Sequence, residues 1–170
     1  MTTYLVLTLI GKDKPGLVEQ LAQTISDHSG NWQESSMSQL AGKFAGILRV
    51  SVADKDADAL VSALQNLSTG LKLVIEKADV EDVVDNQQTV ELNLVGNDRP
   101  GIIREISRVL ANLGINVEEL TTECVPAPMT GDILFKANAC LKVPQETPLE
   151  SLQLALEKLA DDLIVEIQLS

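Results

Sequence analysis

The sequence predicts an α+β protein built from two copies of one β-α-β-β-α-β unit. Three observations support this prediction: a repeat at constant spacing, apolar runs separated by turn residues, and a composition typical of globular domains. The chain has 170 residues, of which 45% are hydrophobic and only 2% are aromatic. Leucine, isoleucine, valine and alanine must therefore form the core, and the length suffices for two small domains.

The repeat is the most informative feature of the chain. Tyr4–Leu17 reads YLVLTLIGKDKPGL, and Thr89–Ile102 reads TVELNLVGNDRPGI, displaced by 85 positions. Two leucines and the Gly, Asp, Pro and Gly of the following turn recur unchanged at the same spacing. A self-similarity of this kind indicates duplication. It predicts one domain at residues 1–78 and another at residues 89–170, joined by an acidic linker at residues 79–88.

Each copy opens with a strand, a turn and a helix. Leu5–Ile10 is a nearly continuous apolar run, which predicts a strand in the middle of a sheet. Pro15 suits the first turn of a helix, where its missing N–H is tolerated. That helix is predicted to end at Ser29-Gly30, and its counterpart near Gly114. Its buried face carries Leu17, Leu21 and Ile25.

Two strands follow the first helix of each copy. In the first copy they are predicted at Asn31–Leu40 and Phe44–Val52, with a short turn between them. The second copy has a longer turn at residues 125–132. Alignment of Gly42 with Gly131 predicts that four residues were inserted there.

A second helix and a closing strand complete each copy. The helix of the first copy is predicted to begin after Asp54 or Asp56. Its counterpart begins at Thr147–Glu150, a capping box with Pro148 at the first helical position. The leucines predicted on the buried sides of these helices are Leu60, Leu64, Leu67, Leu149, Leu152, Leu156, Leu159 and Leu163. The closing strands are Leu71–Lys77 and Leu163–Leu169. With right-handed crossovers, this order predicts ferredoxin-like units, each an antiparallel sheet with its helices on one face.

The charge balance excludes several classes of protein. Lys and Arg number 13 against 25 Asp and Glu, a net charge of -12, and both halves of the chain are acidic. Direct binding to nucleic acid, which depends on neutralising phosphates, is therefore not expected. The sequence has no apolar run of about 18 residues and no secretory leader, so we expect a cytoplasmic protein without a membrane partner.

The residue types that usually carry catalysis or bind metals are few. The single histidine, His28, is expected to interact with helix carbonyl groups. Cys124 and Cys140 are expected to be small apolar residues, and Asp161-Asp162 a solvated acidic surface. Trp32 is expected in a core or an interface. No metal-ligand spacing or cofactor motif occurs, so we expect no catalytic residue, no metal and no cofactor.

The turn after the first strand is the candidate site in each copy. Gly11–Gly16 and Gly96–Gly101 place glycines and a proline at the start of a helix, where backbone amides attract anions. Asp13 and Asp98 add an acceptor for an ammonium group. A carboxylate pocket beside an ammonium acceptor suits an α-amino acid. The alternative is that the aspartate caps the helix while glycine and proline only shape the turn.

The turn pattern G-x-D-(K/R)-P-G follows an apolar strand and precedes a helix, and Asn31 or Asn116 then opens the next strand. This arrangement resembles the ACT domain in both halves of the chain. Two ACT modules alone in a short chain are similar to the glycine-cleavage-system transcriptional repressor family. The resemblance implies binding of an amino acid, with glycine as one candidate, at the junction of paired ACT modules. It also implies regulation of transcription through a partner transcription factor.

Carried over by position, the resemblance implies a set of ligand-binding residues in both copies. They are Gly11, Asp13, Pro15, Gly16, Asn31, Gly96, Asn97, Asp98, Pro100, Gly101, Ile102 and Asn116. The first copy departs from the family pattern, because Ser29 stands where the family favours glycine. The second copy has Gly114 at that position, so its pocket is the more regular.

Self-association is also expected, because a unit of about 80 residues buries only about 60–65% of its unfolded surface. We expect a homodimer or a higher homo-oligomer. Two alternatives to a ligand-sensing transcriptional regulator remain open. One is an interaction module without a ligand, and the other is an ACT regulatory subunit of an amino-acid metabolic enzyme.

Overall fold

A computed structural model describes residues 1–67, 70–78 and 86–169 of the chain. The chain divides into two compact units, Met1–Asp82 and Val83–Ser170. Residues 79–85 of the predicted linker lie outside the described residues.

The first unit is a four-stranded antiparallel sheet with two helices. Its elements are β1 (Thr2–Lys12), α1 (Leu17–Asp27), β2 (Asn31–Leu40), β3 (Lys43–Ala53), α2 (Asp54–Gln65) and β4 (Lys72–Lys77). The strand order across the sheet is β2-β3-β1-β4, so the apolar first strand is central, as predicted. It is longer than the predicted Leu5–Ile10 because it pairs with β3 from Thr2 to Lys12.

The second unit repeats this architecture. Its elements are β5 (Gln87–Asn97), α3 (Ile102–Asn112), β6 (Asn116–Pro126), β7 (Ile133–Pro144), α4 (Leu149–Glu157) and β8 (Ile164–Leu169). The strand order β6-β7-β5-β8 reproduces that of the first sheet. The predicted α+β class, with two ferredoxin-like units, is confirmed.

The core of each unit lies between one face of the sheet and the two helices. Alternate residues of β1 point to this face, and Leu5, Leu7 and Leu9 are all buried. Leu60 and Leu64 of α2 are buried in the same cluster. The second unit has an equivalent core, to which the central strand β5 and the helices contribute Leu92, Leu94, Ile106, Leu110, Leu152 and Leu156. Among the described residues, no helix of either unit covers the opposite face of its sheet, because the helices bury their apolar side chains in these cores, as Leu21 and Ile25 of α1 do.

Two predicted helix starts are wrong by one or two residues. Helix α1 begins at Leu17, beyond Pro15, because Gly16 adopts the left-handed conformation that separates the turn from the helix. Helix α4 begins at Leu149, with Pro148 in an extended conformation as its N-cap and without a side-chain cap. The capping box predicted for Thr147–Glu150 is therefore not formed.

The predicted four-residue insertion in the second copy is also wrong. Gly11 pairs with Phe44, whereas Gly96 pairs with Phe135. The strand after the hairpin is thus displaced by 91 positions and the strand before it by 85, so six residues are inserted. A glycine shared by two loops does not set the strand register, which the side chains of the strands determine.

Candidate functional site

The two candidate turns leave their central strands in the same way. The backbone N–H of Asp13 donates to the carbonyl oxygen of Gly42 at 3.0 Å. The N–H of Asp98 donates to the carbonyl oxygen of Ile133 at 2.9 Å. Each bond joins the turn to the start of the neighbouring strand, so the backbone of each turn is held at the end of its central strand.

Gly16 and Gly101 end these turns in the left-handed backbone region, with φ of 88° and 85°. Residues with a Cβ rarely adopt this backbone conformation, whereas glycine adopts it freely. A Cβ on Gly16 would meet no atom within 4 Å, and one on Gly101 would meet only the end of the Arg104 side chain. The backbone dihedral, and not crowding, therefore requires glycine at both positions.

Both helices begin with amide groups that no side chain caps. The N–H of Gln20 donates to the carbonyl oxygen of Gly16 at 3.0 Å, and that of Glu105 to Gly101 at 3.1 Å. The three amides that precede each of these donors have no earlier carbonyl in the helix to bond. Neither α1 nor α3 has a side-chain cap. The interpretation of Asp13 and Asp98 as helix caps is therefore wrong.

The first turn borders an open surface concavity of about 250 Å³. Asp13 and the start of α1 share this space, which places a carboxylate in the same hollow as the first residues of the helix. The lining residues are Asp13, Lys14, Gly16, Leu17, Val18, Glu19 and Phe44. A hollow of this size is near the lower limit of small-molecule sites, as a single amino acid would require.

Side chains hold the second turn more tightly than the first. The backbone N–H of Asn97 donates to the Asp162 carboxylate at 2.7 Å. Arg99 forms an ion pair with Glu105 in the first turn of α3. Asp162 is exposed, as expected, and its contact with the turn is an additional feature. In the first repeat, Gln20 stands at the position of Glu105, so this ion pair has no counterpart there.

Cys124 and Asp98 form a further contact in the second repeat. Partial burial of the thiol, the negative charge of Asp98 and a hydrogen bond to its carboxylate raise the pKa of Cys124. Cys124 lies on β6 opposite Phe135, the residue that also pairs with Gly96. The cysteine, expected to be a small apolar residue, is exposed and lies beside a carboxylate. Gln39 occupies the equivalent position of β2.

The ion pair shifts both of its members. The hydrogen bond from Arg99 is the main cause that lowers the pKa of Glu105, and the charges of Arg99, Arg104 and Arg108 add to it. The same hydrogen bond raises the pKa of Arg99. Both groups therefore remain charged over a wider pH range than when isolated.

Gly11 and Gly96 lie where the central strand passes the segment before the closing strand. A Cβ on Gly11 would come within 2.8 Å of Leu71 Cδ2 and 2.9 Å of the Gly70 carbonyl oxygen. A Cβ on Gly96 would lie 3.0 Å from Leu163 Cδ1. Close packing within each unit therefore explains both glycines, whether or not they contact a ligand.

The asparagines of the predicted set lie far from the turn of their own unit. Asn31 pairs with Ser51, which pairs with Tyr4 on the central strand. Gly11 is seven residues further along that strand, a distance of about 23 Å at 3.3 Å per residue. The same holds in the second unit, where Asn116 pairs with Lys142 and Lys142 with Thr89. If an asparagine completes a turn site, it must come from a different module.

Two other predicted contacts are found in the described residues. Nδ1 of His28 lies 2.9 Å from the carbonyl oxygen of Thr24, so the histidine contacts its helix as expected. Trp32 packs against the core of the first unit.

Cys124 and Cys140 are both free. Within residues 1–67, 70–78 and 86–169, no helix is long and apolar enough to cross a membrane. The same ranges contain no cluster of three His, Cys, Asp or Glu residues suited to a metal ion.

The sequence matches the ACT-domain family over residues 3–77 and again over residues 90–161. These two segments contain both turns and, apart from short ends, every strand described above except β8, which follows the second match. The chain belongs to the ACT-domain family. Its two ACT domains explain the internal repeat and the shared fold of the two units.

Similarity to individual proteins is more distant. The glycine cleavage system transcriptional repressor of Escherichia coli is 24% identical over 127 residues, which cover 73% of this chain and 66% of the repressor. A UPF0237 protein of Methanopyrus kandleri is 28% identical over 82 residues, 46% of this chain and 91% of that protein. These identities support a common family and do not carry the activity of either relative to this chain.

Two solved structures resemble the whole chain. A protein of unknown function from Galdieria sulphuraria has a TM-score of 0.88 at 28% identity, covering 100% of this chain and 99% of that one. A protein provisionally assigned as a glycine cleavage system transcriptional repressor has a TM-score of 0.70 at 17% identity, with the same coverage. At that identity, the second likeness shows the fold alone.

Proposed function

We propose that this tandem ACT protein is a non-enzymatic, cytoplasmic regulator that binds an amino acid at the turns after β1 and β5. The observation that supports this proposal most directly is the aspartate of each turn. The aspartate directly follows the central strand and precedes the uncapped amides of the helix, but its carboxylate does not cap that helix. This pairing of an anion with free amide donors is the complement of an α-amino acid, which carries both an ammonium and a carboxylate group.

In this proposal the residues of each turn have separate roles. Asp13 and Asp98 accept the ligand ammonium, and the amides after Gly16 and Gly101 bind its carboxylate. Ile102 contributes its backbone amide, because its side chain is buried in the core. Pro15 and Pro100 shape the entry to the helix in their turns, and Asn97 does so with Pro100 in the second turn. Gly11 and Gly96 support the turn through packing.

The regulatory output in the proposal is transcriptional and depends on a partner protein. The support for this step is the sequence relation to the Escherichia coli repressor and the acidity of the chain. A net charge of -12 disfavours contact with a phosphate backbone, so a partner transcription factor must bind the DNA. Gel-shift titration of a DNA duplex with the purified protein alone should give no salt-dependent complex; such a complex would contradict this step.

Thermal denaturation in the presence of each of the twenty amino acids tests ligand binding. A ligand that binds only the folded state stabilises it by about 2.7 kcal/mol at one hundred times its Kd. We expect one amino acid, or a few related ones, to raise the Tm, with glycine the first to examine. The corresponding amine without a carboxylate, and the carboxylic acid without an amine, serve as controls and should not raise it. No shift with any amino acid at millimolar concentration would contradict the proposal and favour an interaction module without a ligand.

A further inference from the structure

The outer face of the first sheet, opposite its helices, carries four apolar residues around Thr8. Val6 and Ile10 of β1, Ile47 of β3 and Val74 of β4 alternate with core residues and therefore point away from the helices. Ile10, Ile47 and Val74 are 47%, 56% and 58% exposed. Thr8 pairs with both Ile47 and Val74, so these side chains are neighbours across three strands. We refer to Val6, Ile10, Ile47 and Val74 as the outer patch.

The second repeat provides an internal control for this face. In its sheet, Asn93 pairs with Asn138 and Glu166, as Thr8 pairs with Ile47 and Val74. Val6, Ile47 and Val74 are thus replaced by Glu91, Asn138 and Glu166, whereas the fourth member, Ile10, keeps an apolar counterpart in Val95. The second face carries an open polar hollow of about 270 Å³ bordered by Glu91, Asn93, Glu119, Thr121, Asn138 and Cys140. The fold therefore does not require apolar residues at these positions, and the outer patch needs another explanation.

Charges around the outer patch match those of a second copy. Lys72 and Glu76 lie on the same face of β4, two residues on either side of Val74. When two such faces stack about a two-fold axis that crosses the strands at Val74, Lys72 of each copy lies over Glu76 of the other. The same axis places Ile47 over Ile47, so both the apolar and the charged positions are complementary.

The other simple arrangement is disfavoured by the same charges. An axis that runs along the strands would place Glu34 of β2 over Glu76 of β4, because both lie in the row of Val6. Like charges that face each other destabilise an interface. Arg49, the remaining cation in this row, already lies 3.5 Å from Glu34 of its own unit.

We propose that the outer patch joins two copies of this chain face to face, with their β4 strands antiparallel across the interface. Such an interface is isologous, as in most homodimers, and the packing of two sheet faces is common in proteins. From Tyr4 to Ile10 and across four strands, the face measures about 20 Å by about 19 Å, or about 400 Å² on each copy. Two such faces bury about 800 Å² in total, about half the standard interface of about 1,600 Å² and in the range of weak, transient interfaces, so the dimer forms and dissociates with concentration.

Sedimentation velocity of the full chain at concentrations from about 1 to about 200 µM tests the proposal, because a small interface forms a weak dimer. The expected mass approaches twice the 18.3 kDa of the chain as the concentration rises. Ile47→Asn and Val74→Glu introduce the residues that the second repeat carries, and each should raise the dimer Kd tenfold or more. Leu154→Asn, which removes an apolar side chain of similar exposure (57%) from α4, is the matched control and should leave the Kd unchanged.

Charge reversal tests the stacking geometry itself. Lys72→Glu and Glu76→Lys should each weaken the dimer, because each places like charges over one another. The double variant Lys72→Glu/Glu76→Lys should restore the wild-type Kd, and circular dichroism should show that all variants remain folded. A monomeric wild type at 200 µM, a dimer that Ile47→Asn does not weaken, or a double variant no tighter than the single ones would each overturn the proposal.

Discussion

The turns of the two repeats share a backbone but differ in the side chains that surround them. Both end in a left-handed glycine, and both anchor their aspartate amide to the neighbouring hairpin. In the second repeat, Asp162, Glu105 and Cys124 contact the turn. The first turn has Gly70, Gln20 and Gln39 at the corresponding places. Duplication has therefore preserved the backbone of the candidate site, while the side chains around it have diverged.

The largest expected difference between the turns is in ligand affinity. Asp98→Asn should weaken binding of the amino acid identified by thermal denaturation by about ten- to hundredfold, because a charge-assisted hydrogen bond contributes about 1.5–3 kcal/mol. Asp13→Asn should weaken it less, because fewer contacts preorganise the first turn. Isothermal titration calorimetry measures both affinities. Since neither aspartate caps a helix, unchanged Tm values are the control for folding, and a larger effect at Asp13 would reverse the comparison.

The second difference concerns the stability of the two central strands. Gly11→Ala should destabilise the first unit by about 1–3 kcal/mol, because the new Cβ meets backbone that cannot move cheaply. Gly96→Ala should cost less, since the group nearest its Cβ is the end of the Leu163 side chain, at 3.0 Å. Urea denaturation followed by circular dichroism gives both values. Equal losses of stability in the two variants would show that backbone crowding does not distinguish the repeats.

The contact between Cys124 and Asp98 predicts a change in thiol reactivity. In the wild type, the negative charge of Asp98 and its hydrogen bond to the thiol both raise the pKa of Cys124. Asp98→Asn removes the charge and alters the hydrogen bond. The pKa of the thiol should therefore fall, and more thiolate should be present at a given pH. Alkylation of Cys124 by iodoacetamide near pH 8 (close to the pKa of a free thiol, about 8.5), measured by mass spectrometry, should become faster.

Cys140 in the same molecule provides the control for this experiment, because its rate of alkylation should stay constant. Asp13→Asn is a second control, since Gln39 stands in the first repeat where Cys124 stands in the second. Slower or unchanged alkylation of Cys124 in Asp98→Asn would show that the carboxylate does not hold the thiol.

The smallest expected effect is on acid stability. The pKa of Glu105 is lower in the folded protein than its ordinary value of 4.5. Its stabilising contribution is therefore complete above that value and is lost as the pH falls through the lower, folded pKa. Arg99→Gln should reduce the part of the acid-induced loss that Glu105 causes, as measured by urea midpoints between pH 7 and pH 3 (about the range in which carboxylates titrate).

Lys14→Gln is the matched control for Arg99→Gln, because Gln20 replaces Glu105 in the first repeat and no such ion pair exists there. It should leave the acid dependence unchanged. A wild type and an Arg99→Gln variant with identical pH profiles would show that the exposed ion pair contributes nothing measurable, a common result for surface pairs.

Most of the fold could be predicted from the sequence because its signals are local and occur twice. The repeat, the apolar run at Leu5–Ile10 and the helical spacing of Leu17, Leu21 and Ile25 each predict an element that the structure contains. Errors occurred where two local signals compete. Pro148 suits the first position of a helix, but here it lies one residue before α4. The hairpin glycines suggested a register that the pairing of the strands does not have.

The sequence by itself determined the duplicated fold and the position of its two candidate turns. Alternation, helical spacing and glycine conformation depend on residues close in the chain, and these patterns were enough. Only the tertiary structure decided which side chains meet at the turns. Asp162 reaches Asn97 across 65 positions, and Asn31 lies at the far end of the sheet from Gly11, although the family pattern groups them. Such contacts depend on strand order and register, which bring together residues that no local pattern relates.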